Sequence, residues 1–364
     1  MVKNSKNTPE GQKGLYPEFT KIIESLSVIS PKHFKESHKG VTMKKTIFTL
    51  SLILLTFMSI TSLAQEGDRH KKDGFSARIE AGAIGINTTD QLFVNDKNEK
   101  TDNLNDEADS FNITLPAVMF DLRYKFRDAD TEVYLGTPLK ESGTALTLGL
   151  TQTFIDKSKL DVSIFAVNMA EVWENPYVAG VDRDETNVED VGFTIDYNRI
   201  LDTGLNLYYR YNLVDVDEDV IGTMFNNLKR DGVIHSTGIG YRINLEKGNI
   251  ITPGFEYSKA DMDGESNSYN GYKIKLEYKR MKKYYIVNVF VLADKKDYDK
   301  THSIFNKTRD EKGYSATAIF TLLNPFGYEK FFTNFIVGYG CSDSNIDFFD
   351  KRTYVSGVTI GYSF

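Results

Sequence analysis

The amino-acid sequence predicts an all-β fold: a single antiparallel transmembrane β-barrel of about 14 strands, with short periplasmic turns and long extracellular loops. Three observations predict it. Apolar and polar residues alternate with period two in run after run from Phe75 onward. The connections between runs are short and long by turns. The chain closes on an alternating strand whose last residue, Phe364, is aromatic.

Composition narrows the class. The 364 residues hold 44 Lys+Arg against 51 Asp+Glu, a net charge of −7, and 40% are hydrophobic. Mean hydropathy is −0.37, too low for a bundle of membrane helices. An acidic balance argues against nucleic acid, because phosphate binding needs a basic face. One Cys excludes a disulfide framework, and five scattered His do not make a metal site. The 24 Phe and 21 Tyr beside a single Trp favour strands.

The N-terminal segments read as addressing. From Met43, Lys44 and Lys45 precede an uncharged apolar run over 46–63, and Ser62 and Ala64 are small residues before Gln65. That is the pattern of a cleaved secretory signal peptide over 43–64, with cleavage between Ala64 and Gln65. No Cys follows, so it is not a lipoprotein signal. An uncleaved anchor is the alternative, because the run is near the minimum spanning length. Residues 1–42, polar and Lys-rich, read as an over-extended reading frame without structure, with a genuine long n-region as the alternative. Residues 1–64 carry nine Lys, no Arg and four Glu, so their removal takes the net charge from −7 to −12. Residues 65–73 read as a short periplasmic segment and 74–364 as the barrel.

The strands follow in order. Phe75, Ala77, Ile79, Ala81 and Ala83 alternate with Ser76, Arg78, Glu80 and Gly82. Val118, Phe120, Leu122 and Tyr124 alternate with Asp121, Arg123 and Lys125. Pro116 breaks the parity between Phe111, Ile113, Leu115 and the residues after it, which predicts a longer, bulged second strand. A short strand spans 131–136. Further alternations run through Leu146–Leu150, Leu160–Ala166, Val191–Tyr197, Leu205–Tyr211, Ile239–Ile243 and Ile251–Tyr257. The cleanest sets Tyr272, Ile274, Leu276 and Tyr278 against Lys273, Lys275, Glu277 and Lys279. The last four occupy 284–293, 314–323, 330–341 and 351–364. The same pattern also admits twelve or sixteen strands.

Connections at 127–130, 156–159, 198–204, 244–249, 281–283 and 324–329 are short. Those at 87–113, 169–187, 213–232, 294–313 and 342–350 are longer and charged. Segregation of loop length by parity suits an outer-membrane barrel and has no reason to arise in a soluble sandwich.

In such a barrel the polar face lines the lumen. The candidate lining is Arg78, Glu80, Asp121, Arg123, Lys125, Asp161 and Asp196, continuing with Arg210, Arg242, Glu256, Lys273, Lys275, Glu277 and Lys279. Mixed charges around a bore too wide for side chains to fill suggest a water-filled channel. Salt bridges that plug the bore are the alternative, because opposite charges enclosed together pair. The loop after the fifth strand holds the only Trp and an Asn-Pro turn. Trp173, Asp182, Arg183 and Glu185 there form a candidate constriction, or else face outward.

No nucleophile elbow, zinc-protease motif or phosphate loop occurs. In His235-Ser236-Thr237 a lipid-facing hydrolase pair needs Ser on the face of His235, but Thr237, not Ser236, shares it. The clusters Asp215, Asp217, Glu218, Asp219 and Asp261, Asp263, Glu265 lack the full calcium-loop pattern and read as solvated loop charges. No cofactor and no resident metal are expected.

The closing strand, with Tyr354, Ser356, Val358, Ile360, Tyr362 and Phe364 on one face, resembles the C-terminal signature of bacterial outer-membrane barrels. That resemblance implies that Tyr362 and Phe364 are read by the barrel-assembly machinery, and that outer-membrane lipid and lipopolysaccharide surround the protein. More narrowly, Leu135-Gly136-Thr137-Pro138, Trp173-Glu174-Asn175-Pro176-Tyr177, Arg183 to Thr186 and Arg230-Asp231-Gly232 resemble an uncharacterised Gram-negative envelope family known as a domain of unknown function. It implies an outer-membrane barrel and no activity. The functional expectation is a porin-like, weakly ion-selective channel for small hydrophilic solutes. A plugged structural barrel and a barrel hydrolase are the alternatives.

Overall fold

A computed structural model describes residues 74–105, 108–126, 130–140 and 143–364. The expectations for 1–42, 43–64 and 65–73, including cleavage between Ala64 and Gln65, lie outside the described residues. Strands β1 (Phe75–Thr88), β2 (Phe111–Phe126), β3 (Thr131–Gly136), β4 (Leu146–Thr153) and β5 (Lys159–Trp173) come first. Next are β6 (Glu185–Asn198), β7 (Leu205–Val216), β8 (Gly232–Tyr241, resumed as Ile243–Leu245 after Arg242) and β9 (Asn249–Met262). β10 (Tyr269–Met281), β11 (Tyr285–Thr301), β12 (Thr308–Leu323), β13 (Phe331–Ser344) and β14 (Lys351–Ser363) complete the set. Each pairs antiparallel with its neighbours in sequence, and β14 pairs with β1, Thr359 opposite Gly82. With β8 taken as one stave, fourteen strands form a closed ring. Closure leaves no edge with unpaired backbone groups, the condition for crossing lipid with strands.

The expectation of a bulge at Pro116 is corrected. β2 keeps unbroken register on β1, from Tyr124 opposite Phe75 to Phe111 opposite Thr88, with Pro116 opposite Ala83. Parity therefore turns Phe111 inward, where it is buried against Phe93 of the loop after β1, ring centroids 5.8 Å apart. The sequence pattern reversed because the inner face changes from polar to apolar near the mouth. Register shifts occur instead in β5 between Val167 and Ala170, and in β11 between Asp297 and Thr301.

The loop expected over 294–313 is also corrected. β11 runs to Thr301 and β12 starts at Thr308, leaving a connection of 302–307. On this extension Lys295 pairs with Asp297 at 2.5 Å and with Asp310 across the strands at 3.2 Å. Charges that read as loop continue the hairpin: Lys295 stands opposite Lys312 and Asp297 opposite Asp310, and the diagonal Lys295–Asp310 pair, with Lys296 opposite Glu311, offsets these like-charge neighbours.

The outer face is apolar. Leu148, Ile164, Ile274, Val337 and Ile360 are exposed on it, up to 65% for Ile274. Aromatic pairs frame this band on both sides. Tyr257–Tyr272 and Tyr339–Tyr354 lie toward the long loops, with centroids 5.5 and 4.8 Å apart. Phe331–Tyr362 and Tyr285–Phe320 lie toward the short turns, at 4.9 and 5.8 Å. Two aromatic belts around an apolar band are what two membrane interfaces select.

Candidate functional site

The bore encloses a cavity of about 990 Å³ whose lining includes ten of the charged candidates: Arg78, Glu80, Asp121, Asp196, Arg210, Glu256, Lys273, Lys275, Glu277 and Lys279. Its charged wall is built on β6–β10. The Tyr208 ring crosses the Gly238 backbone of β8, where a Cβ would meet the ring at 2.1 Å, so only glycine lets it reach β9. There its hydroxyl donates to Glu256, and Lys275 donates to the same hydroxyl at 2.8 Å. Glu256 also pairs with Lys273 at 3.0 Å and Lys275 at 2.9 Å. One carboxylate thus holds two ammonium groups.

Elsewhere the expected lining is tied into the wall. Arg123 grips Asp121 at 2.9 Å and Glu132 at 2.7 Å. Asp161 accepts from Tyr134 at 2.8 Å and Thr151 at 2.6 Å. Lys125 lies 3.9 Å from Asp130 at a turn. Arg242 sits in the break of β8, donates to Asn244 at 3.1 Å and is not among the cavity's lining residues. Arg242 is thus set apart from Lys273, Lys275 and Lys279, the candidate lysines that line the cavity from β10.

The far wall, on β11–β14, for which the sequence named no lining residue, contributes only uncharged side chains to the cavity. Ile286, Phe290 and Leu292 on β11, Ile319 on β12 and Ile336 on β13 line the same cavity. Between them runs a hydrogen-bonded chain. Thr321 donates to Asn334 at 2.7 Å, Asn334 to Glu80 at 2.6 Å, Thr359 to Glu80 at 2.8 Å, and Arg78 pairs with Glu80 at 3.2 Å. Sequence reasoning missed this wall because on β11 the inward Ile286, Phe290 and Leu292 alternate with outward apolar residues, and on β12 and β13 the inward face mixes Ile319, Leu323 and Ile336 with Ser315, Thr317, Thr321 and Asn334, which hides parity.

Toward the long loops the bore meets a cap. Tyr177, from the loop after β5, packs on His302 and Phe305 of the loop after β11, at 4.9 and 5.7 Å between centroids. It also packs on Phe348 and Phe349 of the loop after β13, at 5.1 and 6.3 Å. Leu104, from the loop after β1, joins the cluster. β5 and β11 stand on opposite arcs of the ring, so these side chains meet across the mouth. Burial pushes the Tyr177 hydroxyl up to about 12. Burial, then the nearby Arg309 charge, hold His302 down to about 4. The Ile304 N–H donates to His302 Nδ1 at 3.3 Å, which assigns the proton to Nε2, 3.0 Å from the Tyr177 hydroxyl.

Two of the four candidate constriction residues hold this cap together. Trp173 is 2% exposed, with the Arg183 guanidinium 4.4 Å over its ring. Arg183 donates to the carbonyls of Gln91 at 3.0 Å and Pro176 at 3.3 Å, and to that of Asn98. It has only neutral acceptors, and burial lowers it to about 10. Arg230 ties the same loop to the next one, pairing with Asp219 at 2.7 Å and donating to the Trp173 carbonyl at 2.7 Å. Asp182 and Glu185 are exposed. The aromatic loop residues Tyr177, Phe305, Phe348 and Phe349 were the missed signal: large apolar side chains amid loop charges need cover.

His235 lies on the outer face, its Nδ1 2.7 Å from the Tyr209 hydroxyl and its ring against Tyr211 at 5.3 Å. Strand alternation turns Ser236 the other way. In the acidic clusters, Asp219 caps the short helix Val220–Met224 and binds Arg230. Among the described residues no group of three His, Cys, Asp or Glu converges to hold a metal. Phe364 stacks edge-on with Tyr362 at 4.8 Å, and its N–H donates to Ala77 of β1 at 2.8 Å.

No curated protein matches the chain. Among solved structures it is similar to the CymD monoaromatic hydrocarbon channel, at 8% identity and TM-score 0.41, over 80% of this chain and 89% of that one. It is similar to the outer membrane channel DcaP of Acinetobacter baumannii at 9% identity and TM-score 0.39, over 82% and 100%. A loop L8 deletion mutant of OmpT, an outer membrane protein of Vibrio cholerae, matches at 10% and 0.39, over 80% and 100%. At these identities none of them brings a function to this chain. The family model that matches is described as Protein of unknown function (DUF2860); it spans residues 74–363, the whole of the barrel, and the chain belongs to that family.

Proposed function

We propose that the protein is an outer-membrane, porin-like channel whose loop end is closed by the aromatic cap at rest. The observation that carries this reading is the cavity of about 990 Å³, which carries five cationic and five anionic side chains on its wall. Charged side chains around a bore of this width, Lys279 among them without an ion pair among the described residues, support a water-filled passage over a packed strut. Balanced charge supports weak ion selectivity, and the cap supports gating at the loop end. Planar-bilayer conductance of the refolded protein tests this. Single-channel steps that grow in frequency when Tyr177 is cut to Ala support the channel. Silence in both proteins would sink it.

The plugged structural barrel is the second reading, favoured by the packing of Tyr177 on Phe348 and Phe349. Silence with retained folding is its expected result. A hydrolase reading finds no constellation to rest on at His235, whose ring nitrogen is engaged by Tyr209.

A further inference from the structure

We infer that the bore contains a binding site for small amphiphilic anions, alkyl or aryl carboxylates, with the apolar body on the β11–β13 wall and the head at Lys279. This deepens the channel reading of the same cavity and rests on it for how the ligand arrives. A bore that only passed hydrophilic solutes would be polar at its inward positions. Here Ile286, Phe290 and Leu292 take three of four consecutive inward positions on β11, broken only by Asn288. Ile319 stands directly opposite Ile336 on the neighbouring strand, and Leu323 opposite Phe332. The cavity they border, about 990 Å³, is at the upper end of the size of small-molecule sites, which are mostly apolar with a few placed polar groups.

The polar groups stand along one seam. Lys275 is registered with Leu292, Glu277 with Phe290 and Lys279 with Asn288, so the β10 charges adjoin the β11 hydrophobes directly. Lys275 is held by Glu256 and Tyr208. Lys279, flanked by Ile250 on β9 and Asn288 on β11, makes no ion pair among the described residues. It is the cation on this seam without a counter-charge, and Asn288 stands beside it as a neutral donor.

The sign of the head follows from the row. Same-face neighbours lie about 6.6 Å apart along a strand. A cationic head at Glu277 would be flanked by ammonium groups on both sides. An anionic head at Lys279 has a carboxylate on one side only. The bore therefore favours the carboxylate over an ammonium of the same body, and a tail over a polyol.

The test uses the refolded protein in phospholipid nanodiscs, with empty nanodiscs as blanks, and equilibrium dialysis of butanoate, hexanoate, octanoate, gluconate and hexyltrimethylammonium. Affinity should rise about fourfold per added methylene, the increment of buried CH₂. Gluconate and the ammonium should not bind measurably. Lys279→Gln should weaken hexanoate about tenfold and keep the chain-length slope, the loss of one charge-assisted contact. Phe290→Ser with Ile319→Thr, judged folded by its heat-modifiable band, should flatten the slope. Octanoate binding no tighter than butanoate overturns the proposal, as does Lys279→Gln with unchanged affinity. Swelling of proteoliposomes in arabinose reads the channel separately. Flux without chain-length dependence removes this site and leaves the channel, while binding without flux removes the channel and leaves the site.

Discussion

The Asn334 side-chain amide donates to the Glu80 carboxylate at 2.6 Å, joining β13 to β1 over the intervening β14. Both residues are buried, and Thr321, Thr359 and Arg78 complete the chain. First and last strands are thereby tied by side chains as well as by backbone.

This tie should be measurable as stability. Glu80→Leu takes the acceptor from the Thr359 hydroxyl and the nearer of two acceptors from the Asn334 amide, and Asn334→Leu strips the same carboxylate of one of its donors. Each should cost about 1–3 kcal/mol in urea unfolding followed by heat-modifiability, the penalty of unsatisfied buried polar groups. The double variant should lose less than the sum, because the partners share one contact. Additive losses would show that the two act independently.

The cap predicts an acid response. His302 sits near 4 in the closed cap against 6.5 for a free imidazole. Above 6.5 both open and closed forms are neutral there, so pH has no leverage. Between 6.5 and 4 the open form binds a proton that the closed form does not, so closure weakens as pH falls. Below 4 the effect levels off. Conductance or loop proteolysis should therefore increase from pH 7 to pH 5, and His302→Gln should abolish the step.

Tyr177 is the keystone of that cap. Tyr177→Ala removes its ring from contact with His302, Phe305, Phe348 and Phe349. Tyr177 is half-buried, so its truncation should cost less than the roughly 3–5 kcal/mol of a fully buried aromatic. Protease sensitivity of the loops should rise sharply while the barrel's heat-modifiable band stays. Unchanged protection would mean that the loops hold closed without it.

Selectivity should turn on Glu256. It neutralises Lys273 and Lys275 together. Glu256→Gln removes this carboxylate from beside both lysines and should shift the reversal potential in a potassium chloride gradient toward chloride. Reversing Lys273 and Lys275 to Glu instead would crowd carboxylates around Glu256, so loss of folding is expected there before any change of selectivity.

Phe364 deletion removes both the ring beside Tyr362 and the N–H donated to Ala77. Less folded, membrane-inserted barrel and more aggregate should result. Normal levels of heat-modifiable protein would count against a role in assembly.

The outer half of this protein was legible in its amino-acid order. Lipid meets every second residue, so Leu146, Leu148 and Leu150, or Tyr272, Ile274 and Leu276, write a period of two that needs no partner to interpret. The closing strand and a count near fourteen follow from that pattern and from turn spacing, while the pairing around the ring decided fourteen against twelve or sixteen. The inner half was legible only where polar residues marked it, as at Lys273 to Lys279. On β11–β13 the inward Phe290, Ile319 and Ile336 are as apolar as their outward neighbours, and near Pro116 the inward face turns apolar with Phe111, so alternation loses its meaning there. The cap lay further beyond reach. Tyr177, His302 and Phe348 are far apart in the chain, and only ring closure brings their loops over one opening, where burial of their aromatic faces holds them together.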